Sequence, residues 1–293
     1  MSNDSSKETP ISSDGAHISP ISPTRAEKRT RHEKRQRQIL ADIQAGRPQG
    51  VPWSGWVAVV YTLAAFLFAQ LAGSVAVIIY PHVQGWSRAR SEDWLNHSTV
   101  AQFWFVLATE TVAFAAIWWF VRLRKSSLPA IGWRWPRLRD PGYALAGYLV
   151  YFLAYILLLT AAKQIIPSLN LDQKQDLGFS SPVGGLNMAL TFVSLVVLPP
   201  VVEETMFRGF VYTGLRGKLR PIGAALITSV VFASLHLEFG NGAPLLWVAA
   251  IDTFTLSLVL CYLREKTGGL WPGICLHALK NLVAFVTLYL IAA

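Results

Sequence analysis

Residues 186–208 read LNMALTFVSLVVLPPVVEETMFR. A long apolar run passes through a Pro-Pro step and then, with no polar linker, meets two adjacent carboxylates and an arginine. About 20 predominantly apolar residues are enough to cross a bilayer. Ionisable groups inside such a run are costly and mark function by default. The stretch therefore reads as a membrane span that carries its chemistry within the membrane.

Six more apolar runs surround it, at about residues 53–80, 100–121, 143–162, 221–237, 245–263 and 270–292. The quoted run, extended to about residue 215, is the fourth of seven. Composition agrees: of 293 residues 53% are hydrophobic and only 15% charged, against about a quarter in soluble domains. The predicted fold class is all-α, a polytopic membrane helix bundle with about seven transmembrane helices. The predicted domains are a tail over residues 1–50 and a transmembrane domain over 51–293, with no soluble domain left over. Within the tail, residues 1–24 are polar and expected to be disordered. Residues 25–46 are basic, with Arg25, Lys28, Arg29, Arg31, Lys34, Arg35 and Arg37. The first apolar run starts too late for a signal peptide.

The net charge of +9 suits nucleic acid or an anionic membrane face. The basic residues sit beside the apolar runs, so membrane lipids are the expected partner and nucleic acid is not. Arg122, Arg124, Lys125, Arg134, Arg137 and Arg139 fall between spans two and three, Arg216, Lys218 and Arg220 between four and five, and Arg264 and Lys266 between six and seven. The alternate loops are nearly balanced. The positive-inside rule then puts the N-terminus in the cytoplasm, and a bacterial plasma membrane is the expected location. Cys261 and Cys275 lie in spans and form no CxxC pair; they read as small buried side chains. His32, His82 and His97 read as solvated loop histidines, and the tryptophans near span ends as an interfacial belt.

The polar groups inside the spans are Glu110, Glu203, Glu204, Arg208, His236, Asp252, His277, Lys280 and Asn281. Counting helical rise from the basic loops, Glu203 lies about 20 Å deep, His236 about 24 Å, and His277 and Asn281 about 15 to 21 Å. Three spans thus bring polar groups to similar depth. Two imidazoles and a carboxylate can hold a divalent metal, a carboxylate can serve as general base, and an amide can ligate or support an oxyanion. His277 and Asn281, at i and i+4, share a helix face. The same spacing pairs Glu204 with Arg208 and leaves Glu203 about 100° round the helix. Each residue alone also reads as helix–helix glue; the set at matched depth reads as a site. Lys280 needs a carboxylate partner or a water-filled cavity at that depth. Asp252, on the preceding span, is favoured over Glu110.

Glu203-Glu204-Thr205-Met206-Phe207-Arg208 fits EExxxR, Phe232-Ala233-Ser234-Leu235-His236 fits FxxxH, and His277-Ala278-Leu279-Lys280-Asn281 fits HxxxN. In this order on successive spans, with Gly269-Leu270-Trp271-Pro272 ahead of the third, they resemble the motifs of the CPBP family. That group of intramembrane metal-dependent proteases includes type II CAAX prenyl endopeptidases and bacteriocin-processing and self-immunity proteins. The resemblance covers residues 186–293. It implies a helix bundle around a cytoplasm-facing cavity and an endopeptidase cutting near the cytoplasmic leaflet. It implies Glu203 as base, Glu204 and Arg208 as its supporting pair, and His236, His277 and Asn281 as the rest of the site. A divalent metal, zinc first, would be held by Glu203, His236, His277 and Asn281; whether it is obligatory stays open. The implied partner is a peptide or protein substrate, lipidated in some members. The rivals are a non-catalytic immunity or scaffold member of the same fold, and a transporter with an intramembrane ion site.

Overall fold

The structure, a computed structural model, describes residues 50–173, 178–179, 184–237 and 245–291. The expectations for residues 1–49 lie outside the described residues. Among the described residues the regular structure is helical, with no strands. We number the principal helices α1 (Gly55–Val83), α2 (Arg88–His97), α3 (Thr99–Leu123), α4 (Asp140–Ile165), α5 (Gly185–Arg216), α6 (Pro221–Ser234), α7 (Trp247–Thr267) and α8 (Trp271–Ile291).

Six of these, α1, α3, α4, α5, α7 and α8, are long and apolar enough to cross a membrane. The expected fifth span is instead the shorter apolar helix α6. Its 14 residues rise about 21 Å, less than the roughly 30 Å hydrocarbon core. Large apolar side chains on α1 (Leu67, Phe68, Leu71) and α4 (Leu149, Leu153, Leu157) are exposed. In water they would form apolar surface far beyond what a monomer tolerates; a bilayer covers them.

Helix α5 is the centre of the bundle. Parts of it pack against α1, α3, α6, α7 and α8, and every residue from Glu204 to Leu215 is buried. It is not a uniform α-helix. Val193–Val197 and Glu204–Val211 are π-helical. The N–H of Leu198 donates to the Val193 carbonyl, and that of Tyr212 to the Phe207 carbonyl, each five residues back. The second shift leaves the Arg208 carbonyl to other donors, and Arg264 Nε from α7 supplies one at 3.3 Å. Such π stretches are rare and concentrate at functional sites.

The segment between α3 and α4 folds back onto the start of α8. The Leu270 N–H donates to the Gly132 carbonyl (3.1 Å), Trp271 Nε1 donates to the Arg134 carbonyl (2.6 Å), and Arg134 forks onto both oxygens of Asp140 at 2.8 Å each. The glycine pair before Leu270 permits this. Gly268 ends α7 with φ +69, a left-handed cap that glycine adopts without strain. A Cβ on Gly269 would lie 2.0 Å from Arg134 Nε. On α5, Trp133 Nε1 donates to Thr205 Oγ1 at 3.2 Å, so this segment also braces the helix that carries the two glutamates.

Lys280 finds the partner expected for it. Its Nζ lies 2.9 Å from Asp252 Oδ2, and the Tyr151 hydroxyl of α4 donates to Asp252 Oδ1. Three spans are thereby tied by one partly buried pair, with side chains 24% and 17% exposed. Lys280→Met and Asp252→Asn are each expected to lower the melting temperature in detergent, because each leaves one partner charged and alone at depth. The double change should recover part of the loss. Additive losses in the three melting curves would show that the pair does not act as a unit.

Candidate active site

Glu203 and Glu204 stand at the turn where the α-helical segment Leu198–Glu203 passes into the π-helical one. Glu204 is fully buried and points into the bundle. Its Oε1 accepts from Arg208 Nη1 at 2.9 Å, one helical turn on as the i,i+4 spacing predicted. The same oxygen accepts from His277 Nδ1 of α8 at 3.3 Å. An ionised carboxylate can only accept, so Nδ1 carries a proton, and in the neutral imidazole Nε2 is left with a lone pair. That Nε2 faces Glu203 Oε2 at 3.8 Å. His277 therefore sits between the two glutamates, oriented by one and presented to the other. Glu203 keeps 24% of its side chain accessible, whereas Glu204 keeps 1%.

Phe232 is the floor of the site. The Arg208 guanidinium lies 4.4 Å over its ring, within cation–π range. The His236 ring is tilted against it at 4.8 Å, and the His277 ring meets it edge-on at 6.1 Å. Helix α6 ends at Ser234, and His236 folds back so that its Nδ1–H donates to the Phe232 carbonyl at 2.9 Å. This satisfies one of the carbonyls a helix end leaves open. It also sets the tautomer, leaving Nε2 an acceptor. Across the site, α8 approaches Glu204 closely: a Cβ on Gly273 would lie 2.7 Å from Glu204 Oε2.

Asn281 has a structural task besides the one its spacing suggests. Its Nδ2 donates to the Leu195 carbonyl at 2.8 Å. In an α-helix that carbonyl would accept from residue 199, and in a π-helix from residue 200. Both are proline and have no N–H. The Pro-Pro step thus leaves Leu195 without an intrahelical donor, and Asn281 supplies one from α8. Asn281→Leu should strip that carbonyl of its partner and cost about 1–3 kcal/mol, read as a lower melting temperature in detergent. A variant as stable as wild type would mean that α5 repairs the gap by itself.

The structure thus brings Glu203, Glu204, Arg208 and His277 into one connected cluster, sets His236 beside it across the Phe232 ring, and ties Asn281 to the proline step on α5. The donor chemistry suits a divalent metal, since both imidazoles keep Nε2 free. The positions do not: among the described residues no group of three or more His, Cys, Asp or Glu lies close enough together to hold one. Sequence reasoning missed the His277–Glu204 bond, the shared Phe232 floor, the close pass of Gly273, and the Leu195 carbonyl. Phe232 and Gly273 sit within the quoted motifs or beside them, and the two prolines mark Leu195 by counting.

Fold and site together define a polytopic α-helical bundle with a carboxylate–imidazole centre buried among its spans. Residues 185–283 match the family model of Rce1-like type II CAAX prenyl endopeptidases, the grouping that the three motifs resemble, and the chain is an integral membrane protein. Over 94 residues it is 33% identical to an uncharacterized 24.3 kDa protein of Escherichia coli, covering 31% of this chain and 41% of that one. Over 145 residues it is 33% identical to the uncharacterized protein YyaK of Bacillus subtilis, covering 46% of each. The chain spans less than half the length of these curated relatives. No solved structure matches it.

Proposed function

We propose that this chain is an intramembrane endopeptidase in which Glu203 acts as general base on a water held against His277. The observation that carries this reading is the 3.8 Å gap between Glu203 Oε2 and His277 Nε2. It is too long for a direct hydrogen bond and leaves Glu203 Oε2 without a partner among the described residues, so a small outward shift of the Glu203 side chain would admit one water between the two. Glu203 takes a proton from that water, the oxygen attacks the peptide carbonyl carbon, and the departing amine takes the proton back from Glu203 as the C–N bond breaks. His277 aligns the water, and the Arg208–Glu204 pair holds His277 in the tautomer this requires. His236 Nε2 is an acceptor for a substrate N–H, and the second N–H of Asn281 is a donor for a substrate carbonyl.

The substrate is a peptide or protein. Prenylated C-terminal segments, which the family's name describes, and unlipidated membrane peptides are the two classes to try. The charge of the loops supports an N-terminus in the cytoplasm and cleavage near the inner leaflet of a bacterial plasma membrane. A metal held by Glu203, His236, His277 and Asn281 would require these side chains to converge beyond the positions seen here; it is a separate proposal, and no step above depends on it. Stoichiometric metal in the purified protein, lost in both His236→Ala and His277→Ala, would support it. The reading itself is tested by offering lipidated and unlipidated peptides to the protein in vesicles. Cleavage by wild type and none by Glu203→Gln supports it. Cleavage by neither leaves a scaffold or immunity role for the fold.

A further inference from the structure

Glu110, in the middle of α3, has no hydrogen bond or ion pair among the described residues. It lies 13 residues before the end of α3 at Leu123, about 20 Å of helical rise. It lines a cleft of about 580 Å³ between α3 and α5, with Phe114, Trp118, Trp133, Val201 and Val202 among the walls. The other walls are almost wholly apolar, and Val201 and Val202 are the two residues that lead into Glu203. An ionisable group placed alone in such surroundings is expensive.

Among the described residues, no Lys or Arg pairs with it. Helix α1, packed along α3, has no Asp, Glu, Lys or Arg. On α5 the ionisable residue that follows the lining residues Val201 and Val202 is Glu203, a like charge, and Arg208 is engaged by Glu204. Arg122, which stacks over Trp118 at 5.6 Å, is 12 residues further along α3, about 18 Å away by rise. Among the described residues the carboxylates at this depth are Glu110, Glu203, Glu204 and Asp252; Arg208 pairs with Glu204 and Lys280 with Asp252, while the buried Arg264 donates to the Arg208 carbonyl. Glu110 and Glu203 are left without a Lys or Arg partner among the described residues. What completes this cleft electrostatically is a cation carried on an apolar body.

The geometry points to the Glu110 cleft as a specificity subsite that takes a lysine or arginine side chain of an otherwise apolar substrate peptide, next to the bond presented to Glu203. This inference rests on the proposed peptidase reading. The aliphatic stem of the basic residue packs on Phe114 and Val201, and its charged head meets Glu110, with the tryptophan faces adding cation–π attraction. The volume falls within the range of ordinary ligand sites.

The test uses full-length protein in vesicles and two apolar peptides, identical but for one lysine or one acetyl-lysine, with N-methylated backbones that block cleavage. Wild type should bind the lysine peptide about tenfold or more tighter, as a desolvated charge pair would give. Glu110→Gln should bring that ratio close to one. Equal binding of both peptides by wild type overturns the inference, as does a preference that survives in Glu110→Gln. Should Glu110→Gln fail to fold, the wild-type lysine-to-acetyl-lysine ratio decides alone. Cleavable versions separate this inference from the peptidase reading. A Glu110-dependent preference with no turnover removes the peptidase and leaves the subsite; turnover without preference does the reverse.

Discussion

Glu203→Gln is expected to reduce turnover by about two to four orders of magnitude, the usual contribution of a positioned general base, while the protein stays folded in the membrane. Glutamine keeps the shape and hydrogen-bonding reach of the side chain but cannot take a proton from water. The site makes small structural cost plausible to measure and hard to confuse with lost activity. Glu203 is the more accessible of the two glutamates, and its Oε2 makes no hydrogen bond within the protein among the described residues. Melting temperature and helical circular dichroism should therefore stay near wild type, with kcat carrying the loss. A Glu203→Gln protein that turns substrate over at the wild-type rate would remove Glu203 from the mechanism. One that fails to fold would show that the side chain belongs to the packing.

The membrane spans were legible because twenty-residue apolar runs have few other physical meanings, and their limits moved by only a few residues on folding. The exception is α6. Apolar character continues to Leu237, but the helix stops at Ser234, and His236 turns its ring back onto the last turn. Hydropathy does not register that event, because it depends on one side-chain-to-backbone bond. The site shows the same division. The i,i+4 pairing of Glu204 with Arg208 is local and could be read from spacing. The bond from His277 to Glu204 joins residues 73 apart in the chain and depends on how α8 packs on α5. Asn281 is an intermediate case. Pro199-Pro200 announces an orphaned Leu195 carbonyl to anyone counting donors, but not which of the neighbouring helices will satisfy it. Glu110 and Lys280 were both visible as misplaced charges. Only the packing of α7 against α8 decides that Asp252 takes the lysine and that Glu110 is left over.

Changes at Glu204 and Arg208 should have the largest effect on stability. Both side chains are buried, 1% and 0% exposed, and joined at 2.9 Å. Breaking one partner of a buried pair costs about 3–5 kcal/mol, because the other is left charged without water. Arg208→Met should incur that cost by stranding the Glu204 carboxylate. Glu204→Met should do so by stranding the guanidinium, for which the face of Phe232 is only partial compensation. The double change Glu204→Met/Arg208→Met should melt closer to wild type than either single one. Activity should not follow stability back. Without an acceptor at residue 204 the His277 Nδ1–H has lost what fixes its tautomer, and Nε2 no longer faces Glu203 reliably as a lone pair. Glu204→Gln separates the two effects. Its amide oxygen can still accept from Nδ1 while its charge is gone, so it should destabilise nearly as much as Glu204→Met yet keep more turnover per folded molecule. The comparison needs melting curves in detergent and rates normalised to folded protein. If the double variant regains both stability and turnover, the pair is packing alone, and His277 is held in place by something other than Glu204.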